Sequence, residues 1–241
     1  MNLNNTKIER TVYLVRHGER SDHHRRAFDS RGSHPEERNP HLSVRGVKQA
    51  SLVGKFLAEE LMPEAEASTP IIILTSGYWR CLQTSNQVVR CLEERKISSQ
   101  LYKSDWVREV QNKLTSSKRE ELDKEANHFK LGFHLDISPE WHRVPLKTEE
   151  AIETKMSAFQ RALDFWDKLA AGEFDPIENK GQKVVFIVIT HAFFVTSLIC
   201  SIGQLLYNKE ILECGVTKVV ISPNGKSKLL LTNYGLHLQK L

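Results

Sequence analysis

Three short apolar runs, each ending abruptly in a polar turn, constrain this chain more than any other feature. Thr11-Val12-Tyr13-Leu14-Val15 runs into Arg16-His17-Gly18, and Pro70-Ile71-Ile72-Ile73-Leu74-Thr75 into Ser76-Gly77-Tyr78-Trp79-Arg80. Lys183-Val184-Val185-Phe186-Ile187-Val188-Ile189, the most apolar of the three, ends in Thr190-His191. Such β-branched runs are too short for buried helices and read as strands covered on both faces, the last of them central.

Helical patterns separate the runs. Val44, Val47, Ala50, Val53, Leu57 and Leu61 share one face behind Ser43 as cap, and Pro63 is expected to stop that helix. A second helix extends from the Arg80 turn to about Arg95. A weaker strand, Ile97 to about Tyr102, leads to Asp105-Trp106-Val107-Arg108-Glu109. Thr148 is expected to cap a helix whose apolar face is Ile152, Met156, Phe159, Leu163, Trp166 and Leu169, and Ala192 to about Leu206 forms another. Val216–Ser222 and Lys228–Thr232 around Pro223-Asn224-Gly225 predict a hairpin. Strands alternating with helices predict a three-layer α/β/α fold. Its central sheet is mostly parallel, with helices on both faces and a C-terminal β-hairpin. A single domain over 1–241 is expected, with a long loop insertion at about 20–41 and a partly helical excursion at about 110–146.

Composition bounds the partners. Thirty-four Lys and Arg against 30 Asp and Glu give a net charge of +4, which suits an anionic substrate but is too small an excess for nucleic acid. No apolar run approaches the roughly 20 residues of a bilayer span, and the N-terminus lacks a secretory stretch. No membrane partner is expected, and a cytoplasmic location is. Cys81, Cys91, Cys200 and Cys214 form no C-x-x-C pair, which argues against a disulfide framework or thiolate zinc site. His23, His24, His34 and His41 cluster in the loop without Cys partners or i,i+4 spacing, so no metal and no cofactor are expected. Protein partners are not legible.

Right-handed crossovers put the C-terminal ends of parallel strands along one edge, where open α/β sheets bind ligands. Arg16, His17, Arg80, Glu109 and His191 each come just after a predicted strand and can meet there. Arginine forks bind phosphate oxygens bidentately, and histidine can act as nucleophile or donor. Phosphoryl transfer is favoured by such cationic clamps, because charge spreads over the equatorial oxygens. Glu109 is the candidate acid for the leaving group, with Asp105 or Glu19 as alternatives. No P-loop and no H-E-x-x-H sequence is present.

These residues also carry a resemblance. Arg16-His17-Gly18-Glu19 resembles the R-H-G-E signature of the histidine phosphatase superfamily, which includes the cofactor-dependent phosphoglycerate mutases. Leu42-Ser43-x-x-Gly46-x-x-Gln49-Ala50 resembles its L-[ST]-x-x-G-x-x-Q-A, and Thr75 to Thr84 its S-S-P-x-x-R-[AC]-x-Q-T. Val107-Arg108-Glu109 falls where that family has L-x-E, and Thr190-His191-Ala192 where it has [ST]-H-G. The resemblance implies a phosphohistidine intermediate on His17 and phosphoryl binding by Arg16, Arg80 and His191. It implies proton transfer by Glu109, with a raised pKa or a mildly acidic optimum. Gly18 would allow close backbone approach while a carbonyl fixes the His17 tautomer.

Gly77 replaces the family's Pro and Ala192 its second Gly. Val110-Gln111-Asn112-Lys113 stands where mutases continue with a Gly-rich segment, which favours phosphatase. Arg16 to Arg20, Asp22 and the insertion before Asn39-Pro40-His41 are similar to the branch of T-cell-signalling suppressor and ecdysteroid-phosphate phosphatases. From that branch Arg20 takes a phosphate-binding role. The expectation is a metal-independent phosphomonoesterase acting on a phosphorylated small molecule or phosphopeptide. A mutase-type phosphotransferase and a catalytically silent phospho-ligand module are the alternatives. Tyr78, Trp79 and the Arg-rich loop are expected at the entrance.

Overall fold

In the computed structural model, residues 8–22, 39–66, 69–110, 153–176 and 183–241 are described. His23, His24 and His34, most of the 20–41 loop, and all of the 110–146 excursion but Val110 lie outside these, as do Thr148 and Ile152. Besides 3-10 turns at Asp105–Val107 and Leu236–Lys240, six strands and four α-helices occur among the described residues. They are β1 (Glu9–Arg16), α1 (Val44–Glu66), β2 (Ile71–Thr75), α2 (Trp79–Glu94), β3 (Gln100–Lys103), α3 (Lys155–Ala170), β4 (Lys183–Thr190), α4 (Ala192–Gly203), β5 (Val216–Ile221) and β6 (Ser227–Tyr234).

The strands form one six-stranded sheet in the order β3-β2-β4-β1-β5-β6. β4 lies inside it, parallel to both β1 and β2, and β3 is parallel to β2. Among these strands only β5 is reversed, antiparallel to both β1 and β6. The period of two sorts side chains between the layers. Tyr13, Val15, Ile71, Ile73, Val185 and Ile187 pack beneath α1 and α2, with Ala50, Val53, Leu57 and Leu61. Val12, Leu14, Ile72, Leu74, Phe186 and Val188 face Ala162, Phe165, Leu169, Val195 and Leu198 of α3 and α4. Each fully buried Leu or Phe contributes roughly 1.5–3 kcal/mol. The predicted three-layer architecture is therefore present, hairpin included: Gly225 closes its turn with a positive φ of 81°.

Several boundaries differ from expectation. Pro63 lies inside α1, which continues to Glu66; within the last turn it forfeits a single backbone bond, which the packed helix tolerates. α3 starts at Lys155, capped by Thr154 Oγ1 accepting from the Ser157 amide at 3.1 Å, and not at Thr148. Its inward face keeps the predicted Trp166 and Leu169 but differs toward the start: Met156 is 75% exposed, while Ala158, Arg161, Ala162 and Phe165 are buried. The third strand is Gln100–Lys103, later and shorter than expected. α4 ends at Gly203, with Gln204 left-handed at φ 48°. No helix among the described residues is long and apolar enough to cross a membrane.

The first turn of α1 turns inward with Gly46 and Gln49 in place of Val44 and Val47; Val44 is 80% exposed. Ser43 caps it as expected, Oγ accepting from the Gly46 amide at 2.9 Å. A Cβ on Gly46 would stand 2.2 Å from the Glu19 carbonyl oxygen, and one on Gly18 2.6 Å from that of Gly46. Gly46→Ala is therefore expected to destabilise by about 1–3 kcal/mol through overpacking of backbone against backbone. Val44→Ala should stay within about 0.5 kcal/mol of wild type. Urea unfolding midpoints measure both.

Candidate active site

Strand register assembles the site. Arg16 pairs with Thr190, the His17 amide donates to the Thr190 carbonyl at 3.0 Å, and the Ser76 amide to that of Ile189 at 3.1 Å. The ends of β1, β2 and β4 thus reach one edge together. α2 begins at Trp79 and places Arg80 in its first turn, and α4 begins directly after His191.

The loop carrying His17 is held from three sides. Thr84 Oγ1 accepts from the Gly18 amide at 3.1 Å and donates to the Arg80 carbonyl at 2.7 Å. Gln49 Oε1 accepts from the Glu19 amide, and Gln83 Oε1 from that of Leu42, both at 2.7 Å. The Cys214 amide donates to the Arg16 carbonyl at 3.0 Å. Within this frame His17 Nδ1 lies 2.8 Å from the Gly18 carbonyl. A carbonyl only accepts, so Nδ1 carries the proton and the Nε2 lone pair is left for attack.

Arg80, 2% exposed, sits at the centre. Its Nη2 lies 3.2 Å from both Glu109 Oε2 and His191 Nδ1. His191 Nδ1 also lies 3.2 Å from Glu109 Oε2, so it accepts from Arg80 in one tautomer and donates to Glu109 in the other, while Nε2 lies 2.9 Å from Ser76 Oγ. The guanidinium also lies 4.6 Å over the Tyr78 ring, which stands edge-on to His191. The two histidine rings are 5.3 Å apart. Arg80 Nε and Nη1 and Arg16 Nε are buried without an acceptor among the described residues.

Burial and Arg80 hold both histidines neutral, and His191 adds to the effect on His17. Burial first, then Arg80, His191 and Arg16, pull His17 well below its usual range against the opposing Gly18 contact. His191 is lowered to about 4, burial outweighing the nearby Glu109. Burial pushes the Glu109 carboxyl up, but His191, Arg80 and the Val110 amide outweigh it and hold it well below the carboxylate range. The expectation of a raised Glu109 pKa is thus corrected: it is a carboxylate gripped by a cation. One ligand atom each of His17, Glu109 and His191 lies within 4.8 Å of the others, a spacing that could admit a metal ion. The Arg80 charge beside two of these atoms opposes a second cation.

Of the predicted site residues, His17, Arg80, Glu109 and His191 come together. Arg16 reaches the edge with Nη1 on the Ile211 carbonyl at 2.5 Å and Glu210 and Glu213 each at 3.6 Å. Arg20 does not join them: its guanidinium is bidentate to Asp22 at 2.6 and 2.9 Å, with no bond to the cluster among the described residues. Glu19 is structural, its carboxylate on Ser43 Oγ at 2.6 Å and Arg45 at 3.3 Å. Two further residues complete the site without a role that the sequence disclosed. Ser76 orients His191, and Thr84 anchors Gly18; their motif positions are visible in the chain, but not their bonding.

Comparison with known proteins identifies the family and the fold. The family model of the histidine phosphatase superfamily (branch 1) matches residues 12–233, and the chain belongs to that family. A search of curated proteins finds no match. Among solved structures, phosphoglycerate mutase from Bacillus anthracis is similar at 16% identity and TM-score 0.60, covering 98% of each chain. Mycobacterial glucosyl-3-phosphoglycerate phosphatase is similar at 14% identity and TM-score 0.54, over 94% of this chain and 100% of that one. A mutant phosphoserine phosphatase from Entamoeba histolytica, in complex with phosphoserine, is similar at 17% identity and TM-score 0.53, over 95% and 99%. These likenesses establish the shared fold.

The buried histidines make stability depend on pH. A histidine whose folded pKa is depressed favours the folded state fully above its unfolded value near 6.5. That contribution is lost as pH falls from about 6.5 toward the folded value, about 4 for His191. Wild type should lose on the order of 3 kcal/mol from this residue between pH 7 and pH 4. His191→Asn should lose correspondingly less over the same range in urea titrations.

Proposed function

We propose that the protein is a phosphomonoesterase that works through a phosphohistidine at His17, without a metal ion. The observation that carries this reading is the neutral, buried His17 with Nδ1 fixed on the Gly18 carbonyl and Nε2 left for attack. Around it, the buried N–H groups of Arg80 and Arg16 suit the oxygens of a phosphoryl group. In the first step, Nε2 attacks phosphorus and the ester oxygen departs. In the second, water attacks the phosphohistidine and restores the free ring.

Glu109 supplies and retrieves the proton. A phosphate ester competing for Arg80 loosens the cation's hold on the Glu109 carboxylate and brings its own negative charge alongside. Both changes raise the carboxyl pKa and convert it into an acid for the leaving oxygen. The charge of Arg80 among the three ligand-competent groups supports metal independence. The absence of a mutase-like Gly-rich continuation after Glu109 supports hydrolysis over phosphoryl return to product. The long insertion after Arg20 supports the suppressor and ecdysteroid-phosphate phosphatase branch. A phosphorylated small molecule or phosphopeptide fits the exposed His41, stacked 5.0 Å from Trp79, as a feature of the rim. A cytoplasmic site of action completes the proposal.

Hydrolysis of an aryl phosphate in excess chelator tests it. Wild type should turn over, His17→Ala should show none, and Arg80→Ala should lose about 10²–10³-fold in kcat. Equal activity of wild type and His17→Ala contradicts the reading. A product that retains its phosphate, with dependence on a bisphosphate primer, would restore the mutase.

A further inference from the structure

Glu109 lies on a segment with little regular structure, a single 3-10 turn over Asp105–Val107. The four carbonyls before it are nonetheless all engaged. That of Asp105 accepts from Arg108 Nη1 at 3.1 Å, and that of Val107 from Thr190 Oγ1 at 2.6 Å. The other two are held by one side chain: Arg161 Nη1 donates to the Trp106 carbonyl at 2.6 Å and to that of Arg108 at 3.2 Å. Arg161 is a buried cation on the otherwise apolar inward face of α3. It is itself gripped by Glu153, Nε to Oε1 at 2.8 Å and Nη2 to Oε2 at 3.2 Å. Glu153 Oε1 also accepts from Arg108 Nη2 at 3.0 Å. A buried ion pair is a weak stabiliser, since desolvation offsets most of the attraction, so its presence here calls for a positional explanation.

We propose that Arg161, locked by Glu153, is a positioning residue that fixes the height of Glu109 against His191. The inference rests on the reading of Glu109 as proton donor. Thr190 precedes His191 and binds the Val107 carbonyl, so the Glu109 segment hangs between two anchors, the end of β4 and the middle of α3. Without Arg161, the carbonyls of Trp106 and Arg108 lose this shared donor, and the segment loses its tie to α3. Small displacements of a proton donor are costly, because proton transfer needs hydrogen-bond distance to the departing oxygen.

The test compares two esters with the full chain, phenyl phosphate, whose leaving group needs a proton, and p-nitrophenyl phosphate, whose leaving group scarcely does. The quantity read is kcat/KM, which reports the step in which the leaving group departs. Glu109→Gln sets the reference by raising the p-nitrophenyl to phenyl ratio. Arg161→Met should raise that ratio by about 10-fold or more, Arg161→Lys should recover most of the loss, and Arg161→Met should add little to Glu109→Gln. An equal loss on both esters, or losses that multiply in the double variant, overturns the proposal while leaving the Glu109 reading intact. A Glu109→Gln ratio equal to wild type overturns both. Should Arg161→Met not fold, Glu153→Gln removes the charge and keeps the shape. A raised ratio in that variant supports the proposal, and an equal loss on both esters overturns it.

Discussion

Arg16 stands opposite Thr190 across two parallel strands, and the geometry of the sheet edge depends on that register. It places the His17 amide on the Thr190 carbonyl and brings His17 and His191 within 5.3 Å, ring to ring. A slip of one residue would turn every side chain of β1 to the opposite layer, exchanging Tyr13 and Val15 for Val12 and Leu14. The two apolar layers therefore enforce the register, and the register enforces the site. Core packing and catalytic geometry are the same constraint read at two ends of a strand.

At the edge, the dominant physical fact is a buried cation. Arg80 is desolvated at the centre of the cluster, with Glu109, two neutral histidines and the Tyr78 face around it. A guanidinium keeps its charge under such conditions, whereas imidazole gives up its proton. The same burial thus produces both halves of the proposed phosphoryl-transfer site, a permanent clamp and an unprotonated nucleophile. Glu109 holds one side of the clamp, so its own proton affinity depends on burial, on His191 and on whatever else Arg80 binds.

Much of this was legible in the chain because β-branched runs mark strands, and the turn after each parallel strand arrives at a shared edge. The order Arg16-His17, Arg80, Glu109, His191 needed only that rule to converge. Arg20 escaped it: adjacent in sequence to the R-H-G-E segment, it meets Asp22 two residues on, a local pairing that no strand pattern records. The start of the inward face of α3 escaped for a related reason. Apolar periodicity selected Trp166 and Leu169, which are buried, but also Met156, while Ala158, Ala162 and a charged Arg161 paired to Glu153 fill the inward face near the start. Pro63 marked an expected end that tertiary packing overrode by three residues. The roles of Gly46, Gln49 and Thr84 were invisible because each acts through backbone contacts with a distant loop.

The proposed chemistry turns on a neutral His17, held through Nδ1, attacking through Nε2. Rapid quenching at alkaline pH during turnover of an aryl phosphate, followed by peptide mapping and phosphorus NMR, reads this directly. One phosphoryl group on His17, bonded at Nε2, is the expected result. Phosphate bonded at Nδ1, or no phosphorylated histidine in an enzyme that is turning over, would contradict it.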